Sequence, residues 1–170
     1  DLGLQRQVER ELDRVTARER PTWVCAVVIN PQTGEILALG SRPGYDPNDY
    51  VEPRNTPHAR RVVIPQAAML NVPVTAAVEQ GSTFKVLLVA AALDAGVVTP
   101  RTTLHCSGHV NIGGRPISCW GRYGSTGHGT LDMYGMVGQS CNCIAAQVAL
   151  RLGADRYRAF LRKAGIGSDP

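Results

Sequence analysis

The chain has 170 residues, 44% of them hydrophobic, which suits one domain or a large piece of one. Its 18 Lys and Arg residues against 14 Asp and Glu residues give a formal net charge of +4, and the basic residues are scattered, which argues against a nucleic-acid partner. No apolar stretch reaches the ~18 residues that a membrane-spanning helix needs, and the first residues lack the pattern of a signal peptide. Five cysteines are an odd number for a fully disulfide-bonded domain and many for a cytosolic protein without a metal or redox role.

The first forty residues predict a helix followed by a β-hairpin. Apolar side chains recur at helical spacing between Leu4 and Val15, and Pro21 must end the segment. A β-rich run over 23–29, a turn and a second run over 35–39 predict two antiparallel strands on which the helix should pack. The first strand is apolar enough to be covered on both faces.

The rest of the chain predicts an irregular segment and then helices. Repeated prolines between residues 41 and 73 exclude long regular elements there. Residues 82–95 predict a helix that is apolar on every side and therefore buried, with Gly96 as its C-cap. A glycine- and cysteine-containing loop is expected over 102–129. Further helices are predicted near 131–139, 142–152 and 154–164.

A serine and a lysine stand three residues apart at the start of the helix predicted over 82–95. Positions i and i+3 share a helix face, so the Lys85 amine can reach the Ser82 hydroxyl. A buried lysine has its charged form disfavoured and can then accept the serine proton, while the helix N-terminus favours negative charge on the reacting oxygen. Gly81 lets the backbone approach a substrate closely. A capping serine with a solvent-directed lysine would give the same pattern, so the motif does not decide the function by itself.

A second motif, Ser-Cys-Asn, stands at the junction of two apolar helical segments. Ser140 could relay a proton to a leaving nitrogen, and Asn142 could hydrogen-bond a substrate amide. The alternative is that Ser140 or Asn142 only caps the helix that follows.

With these two motifs in this order, the chain resembles the transpeptidase domain of penicillin-binding proteins, of the class B, elongation-specific type. Ser-Thr-Phe-Lys also occurs in class D β-lactamases, but Asn142 favours the transpeptidase. The resemblance implies an α+β fold with helices packed around an antiparallel sheet, shared with serine β-lactamases, of which residues 1–170 would be the N-terminal part. It extends over the following segments: 1–5, 30–38, 43–48, 70–71, 81–85, 128–129 and 139–142.

The resemblance also implies a reaction. Ser82 would attack the penultimate D-Ala carbonyl of a peptidoglycan stem peptide, expel D-Ala and pass the acyl group to an amine on a neighbouring strand. A β-lactam antibiotic would mimic the D-Ala-D-Ala end and stay attached. The expected setting is the outer face of the bacterial cytoplasmic membrane, with an anchor upstream of this chain and a cell-wall glycosyltransferase as partner. No cofactor is expected for catalysis.

Two departures from the family pattern bear on activity. Gln80 stands where the family usually has proline, and no Lys-Thr-Gly or Lys-Ser-Gly triplet follows Asn142. In the family, the strand that carries this triplet binds the substrate carboxylate and supplies one N–H group of the oxyanion hole. This chain alone is therefore expected to be inactive. A serine β-lactamase and a non-catalytic sensor of β-lactams or muropeptides are the alternative functions.

Cysteine and histidine side chains accumulate between and within the two motifs. Thiolate and imidazole are the ligands that tetrahedral zinc prefers. Some elongation-specific penicillin-binding proteins hold zinc beside the active site, and the resemblance implies the ligands Cys106, Cys119, His128 and Cys141. Such a zinc would be structural and would orient the Ser140 turn. A Cys106–Cys119 disulfide and free thiols are the alternatives.

Overall fold

The computed structural model describes residues 1–49, 64 and 66–167, and the chain divides into two compact units, residues 1–78 and 79–170. The predicted irregular segment falls partly on residues 50–63 and 65, which lie outside the described residues. Among the described residues, no helix combines the length and apolar character that crossing a bilayer requires.

The first unit is a helix packed on a β-hairpin, as predicted. Its elements are α1 (Leu2–Glu19), β1 (Val24–Ile29), β2 (Ile36–Arg42), a 3-10 turn (Pro47–Asp49), α2 (Gln66–Met69) and α3 (Val72–Thr75). The Asp1 carboxylate accepts a hydrogen bond from Leu4 N at 2.9 Å and caps α1, and Arg20 ends the helix in the left-handed region with φ 49°.

The α1 helix is fastened to the hairpin by apolar and polar contacts. Leu12 is buried, and the Gln5 amide donates to Leu39 O at 3.0 Å and accepts from Leu39 N at 2.9 Å. The prediction that β1 is covered on both faces is wrong for the described residues, because Val27 is 41% and Ile29 52% exposed. α1 packs against this two-stranded hairpin, and these two strand residues remain uncovered.

The second unit contains the two motifs. It begins with a 3-10 turn (Gly81–Thr83), and its other elements are α4 (Phe84–Asp94), β3 (Leu104–Cys106), β4 (His109–Ile112), β5 (Arg115–Ser118), α5 (Tyr123–Thr126), β6 (Gly129–Leu131), α6 (Met133–Gly138), α7 (Asn142–Leu152) and α8 (Ala154–Lys163). The predicted loop over 102–129 therefore holds short strands. The expected antiparallel sheet is present as three separate two-stranded ladders, β1–β2, β3–β6 and β4–β5, among the described residues.

The core of the second unit lies between α4, α6 and α7, with α8 packed against it through the partly buried Tyr157 and Phe160. Met136, Ile144 and Val148 are fully buried, and each such side chain stabilises the fold by ~1.5–3 kcal/mol. The prediction that α4 is buried on every side is wrong, because Val86 is 57% exposed and Leu93 37%. The side of α4 that packs into the core therefore carries Ala92, which is fully buried, while Val86 on another side remains accessible.

Candidate active site and adjoining cysteine–histidine cluster

Ser82 lies in the 3-10 turn that leads into α4, rather than inside the α-helix as predicted. Its side chain is exposed, and among the described residues the Ser82 hydroxyl makes no hydrogen bond. Gly81 has a φ of +56°, and a Cβ at this position would meet nothing within 4 Å. The glycine is therefore needed for the left-handed backbone that opens the turn, since only glycine adopts it without steric cost.

The Lys85 amine contacts the second motif directly. Its Nζ donates to Ser140 O at 2.7 Å, to Ser140 Oγ at 2.9 Å and to Asn142 Oδ1 at 2.6 Å. The two motifs thus meet at one ammonium group, as their order along the chain predicts. The expected hydrogen bond from Lys85 to Ser82 is not formed, because the three donors of the ammonium all go to the Ser140–Asn142 corner.

Burial disfavours the charged form of this amine. Desolvation lowers the pKa of Lys85 from its ordinary value of 10.5, while the neighbouring thiols Cys141 and Cys119 act in the opposite direction. At neutral pH a larger fraction of Lys85 is therefore in the neutral form that can accept a proton than of an exposed lysine.

Ser140 occupies a position at the end of α6 where helices usually have glycine. The N–H of Cys141 donates to Met136 O at 3.0 Å and the N–H of Ser140 donates to Val137 O at 3.1 Å, the paired bonds of a Schellman C-cap. Ser140 is the left-handed residue of that cap, with φ 50°. A non-glycine residue costs ~1–2 kcal/mol in this conformation, and here it carries the hydroxyl that contacts Lys85.

Replacing Ser140 should separate stability from activity in the whole protein that carries this chain. Ser140→Gly relieves the strain of the left-handed backbone, although glycine also increases the entropy of the unfolded chain. The glycine variant should therefore be more stable than Ser140→Ala, with an unfolding free energy higher by up to about 1 kcal/mol. Both variants lose the hydroxyl, so both should be acylated by a fluorescent penicillin about a hundred-fold more slowly. Urea unfolding and labelling kinetics measure the two effects. A glycine variant less stable than the alanine variant would contradict the strain argument.

Asn142 uses both ends of its amide within the protein. Its Oδ1 accepts from Lys85, and its Nδ2 donates to Ser118 O at 2.8 Å, which leaves one N–H for a substrate. Neither Ser140 nor Asn142 caps α7. The cap is Cys141, whose Sγ accepts from Ile144 N at 3.5 Å.

The predicted metal-ligand residues lie together directly behind this corner. One donor atom from each of Cys106, Cys119, His128 and Cys141 lies within 4.8 Å of the others. Cys119 Sγ is 3.4 Å from Cys106 Sγ and 3.6 Å from Cys141 Sγ. These separations are far longer than a disulfide bond of ~2.05 Å. Cys106 and Cys119, the pair that could have formed a disulfide, are therefore free thiols in this structure.

His128 is held at the cluster by its backbone and its ring. Gly127 precedes it with φ 70°, and a Cβ there would overlap the carbonyl oxygen of Cys106, so only glycine permits this close approach. The ring stacks on Tyr123 with centroids 4.0 Å apart, and Nδ1 lies 3.7 Å from Cys106 Sγ. His128 Nε2 is buried and, among the described residues, has no hydrogen-bond partner.

The thiols of the cluster differ in acidity. Although burial opposes it, hydrogen bonds from the backbone and ring of His128 lower the pKa of Cys106 to about 6. Burial raises the pKa of Cys141 to about 12 and also raises the pKa of Cys143. Cys143 lies 3.5 Å from Cys119 Sγ and is a neighbour of the cluster that the sequence did not single out as a ligand.

Comparison with known proteins identifies the family. Residues 24–170 match the sequence model of the penicillin binding protein transpeptidase domain. The chain belongs to this family. The chain is 35% identical over 168 residues to stage V sporulation protein D of Bacillus subtilis and 31% identical over 170 residues to the peptidoglycan D,D-transpeptidase MrdA of Escherichia coli K12. Each alignment covers 98% of the chain, which spans about a quarter of these relatives, 24% and 25% of their lengths.

Solved structures of other penicillin-binding proteins share the fold. The apo transpeptidase domain of Burkholderia pseudomallei penicillin-binding protein 3 superposes with a TM-score of 0.78 at 26% identity and covers 100% of this chain and 42% of its own. The imipenem acyl-enzyme complex of penicillin-binding protein A from Mycobacterium tuberculosis gives 0.73 at 31% identity, covering 86% of this chain and 35% of its own. The predicted family and the α+β penicillin-binding fold are confirmed.

Proposed function

We propose that this chain carries the nucleophile of a peptidoglycan D,D-transpeptidase, with Ser82 as the acylated residue. The observation that carries the proposal is the contact of the Lys85 amine with Ser140 and Asn142 at 2.6–2.9 Å, one turn after Ser82. The relatives named D,D-transpeptidases support the reaction class.

Acylation begins with proton transfer from Ser82. A neutral Lys85 amine accepts the proton of the Ser82 hydroxyl, and the resulting oxygen attacks the carbonyl carbon of the penultimate D-Ala. Negative charge develops on that carbonyl oxygen, where the Ser82 backbone N–H can stabilise it, because first-turn N–H groups lack intrahelical partners.

The acyl-enzyme forms when the C–N bond to the last D-Ala breaks. The proton on Lys85 passes through the Ser140 hydroxyl, 2.9 Å away, to the leaving nitrogen, and D-Ala departs. An amine of a neighbouring strand then attacks the acyl carbon and Ser82 leaves with its proton restored. With a β-lactam the broken amide stays tethered, so the leaving nitrogen cannot depart.

The substrate is a stem peptide on a polymerised glycan strand, so the enzyme depends on a glycosyltransferase that makes the strand. Peptidoglycan lies outside the bacterial cytoplasmic membrane, and we propose that the active site faces that side. Asn142 contributes its remaining N–H to a substrate amide, and Gly81 shapes the turn that presents Ser82.

A cross-linking assay with the whole protein tests the reaction. A donor pentapeptide and an amine acceptor should give a cross-linked product with release of D-Ala, and penicillin should remain bound long after acylation. Rapid hydrolysis of the bound penicillin would instead identify a β-lactamase. Stable acylation without any cross-linked product would identify a sensor.

We also propose that Cys106, Cys119, His128 and Cys141 hold a structural zinc ion. The set fits because its donors are three soft sulfurs and an imidazole within 4.8 Å of one another and because His128 has a buried ring nitrogen without a partner in the described residues. Bound zinc would supply no catalytic chemistry here. It would tie the loop bearing Cys119 to the residue between Ser140 and Asn142.

Metal analysis of the purified whole protein tests the zinc proposal. The unmutated protein should contain about one zinc per chain, and Cys141→Ser should lose most of it, because the hydroxyl is a much poorer ligand. Cys25→Ser is the matched control, since Cys25 is a half-buried strand residue outside the cluster, and should keep the metal. Absence of stoichiometric zinc from the unmutated protein rejects the proposal.

A further inference from the structure

Trp120 makes a hydrogen bond to the backbone next to Ser140. Its indole N–H donates to Gln139 O at 3.0 Å, although the side chain is 54% exposed. The carbonyl of Gln139 belongs to the peptide group that precedes Ser140. Fixing the plane of this peptide restrains the φ torsion of Ser140, which is the left-handed torsion of the cap.

The bond is one of three contacts between residues 118–120 and residues 139–142. Two of these contacts reach residues that follow Ser140 and one reaches the residue that precedes it. Residues 118–120 therefore hold the Ser140 turn from both sides. The contacts are Ser118 O with Asn142 Nδ2 at 2.8 Å, Cys119 Sγ with Cys141 Sγ at 3.6 Å, and Trp120 Nε1 with Gln139 O at 3.0 Å.

Aromatic packing fixes the orientation of the exposed indole. Trp120 meets Tyr123 edge to face with centroids 5.2 Å apart, and Tyr123 in turn stacks on His128. Edge-to-face pairs contribute beyond their buried area, so the indole N–H is already aimed at Gln139 O before a substrate arrives.

We propose that Trp120 is a positioning residue for acyl transfer. Its N–H holds the peptide group between Gln139 and Ser140, which keeps the Ser140 hydroxyl at 2.9 Å from Lys85 Nζ. This inference rests on the proposed acyl-transfer function. It assigns Trp120 no contact with the reacting atoms, and its effect should fall on the rate of acylation rather than on initial binding of the ligand.

Trp120→Phe in the whole protein tests the role of the N–H, since phenylalanine keeps an aromatic ring for Tyr123 but has no donor. The rate constant of acylation by a fluorescent penicillin should fall about five- to ten-fold. The dissociation constant of the complex that precedes acylation and the unfolding midpoint should change little. Trp23→Phe is the matched control, because Trp23 is the second tryptophan of the chain and lies in the other compact unit, and it should acylate normally.

Replacing the Trp120 indole by benzothiophene, in a Trp23→Phe background, removes only the N–H and keeps the ring size. It should slow acylation as much as Trp120→Phe does. Normal acylation of the benzothiophene protein would overturn the inference, and so would a Trp120→Phe effect confined to the dissociation constant. If the unmutated protein is never acylated, the acyl-transfer function itself has failed.

Discussion

Ser82→Ala should abolish covalent labelling of the whole protein by a fluorescent penicillin while leaving the fold intact. The labelling is lost because alanine has no oxygen to form the ester. The fold is preserved because the Ser82 side chain is exposed and makes no hydrogen bond among the described residues, so its removal should change the unfolding free energy by less than about 0.5 kcal/mol. Gel fluorescence and thermal unfolding measure the two quantities.

The control for this substitution is another exposed serine of the same unit. Ser125→Ala removes a hydroxyl whose single hydrogen bond among the described residues is donated to the carbonyl of Arg122, within its own turn, and should label at the normal rate. Labelling that persists in Ser82→Ala, at whatever residue, would reject Ser82 as the nucleophile. Loss of labelling together with a large loss of stability would instead show that the Ser82 hydroxyl makes contacts that hold the fold together.

Lys85→Arg should slow acylation about a thousand-fold, although it keeps the positive charge. The guanidinium stays protonated at neutral pH and cannot accept the Ser82 proton. Its planar fork also does not match three acceptors that converge on the single nitrogen of Lys85. Stopped-flow or gel-based labelling rates measure the effect. Lys163→Arg is the matched control, since Lys163 is the second lysine of the chain and lies exposed at the end of α8.

The pH dependence of acylation also tests whether Lys85 is the base. Because desolvation lowers the pKa of Lys85, the neutral amine accumulates at lower pH than the ordinary value of 10.5 would allow. The acylation rate of the unmutated protein should therefore rise with pH and level off below that value, and Lys85→Arg should lack this rise. An identical pH profile in the two proteins would contradict the role of Lys85 as base.

Elements with strong local signals were predicted well from the sequence. α1 has helical spacing of apolar residues and a proline just beyond its end, and α7 ends at Gly153 as expected. The meeting of Lys85 with Ser140 and Asn142 was predicted from the order of the motifs. The sequence could suggest this contact because both motifs begin helices and because the family resemblance supplied the relation between them.

Other features depend on tertiary contacts that no local pattern records. β3 and β6 have three residues each, too few for a recognisable alternation, so the sequence predicts only a loop over residues 102–129. Cys141 caps α7 although cysteine is not among the usual cap residues, and Ser140 adopts a backbone conformation that normally signals glycine. The bond from Trp120 to Gln139 O is a long-range contact, visible only when the loop is folded.

The cluster and the candidate active site share a short stretch of backbone. Cys141 stands between the two residues that hold Lys85, and the carbonyl of Ser118, next to Cys119, holds the Asn142 amide. Any change in the spacing of the thiols therefore reaches the Lys85 contacts through one or two peptide groups. This arrangement gives a buried, structural cluster a direct influence on the geometry of the proposed base.

The most direct test is to identify the residue that forms the ester with penicillin. The unmutated whole protein is incubated with a β-lactam, digested, and sequenced by mass spectrometry. The adduct should lie on the peptide that contains Ser82, with fragment ions assigning the added mass to its oxygen. An adduct on Ser140 or on any other residue, with Ser82 unmodified, would contradict the proposal that a hydroxyl one turn before Lys85 is the acyl acceptor.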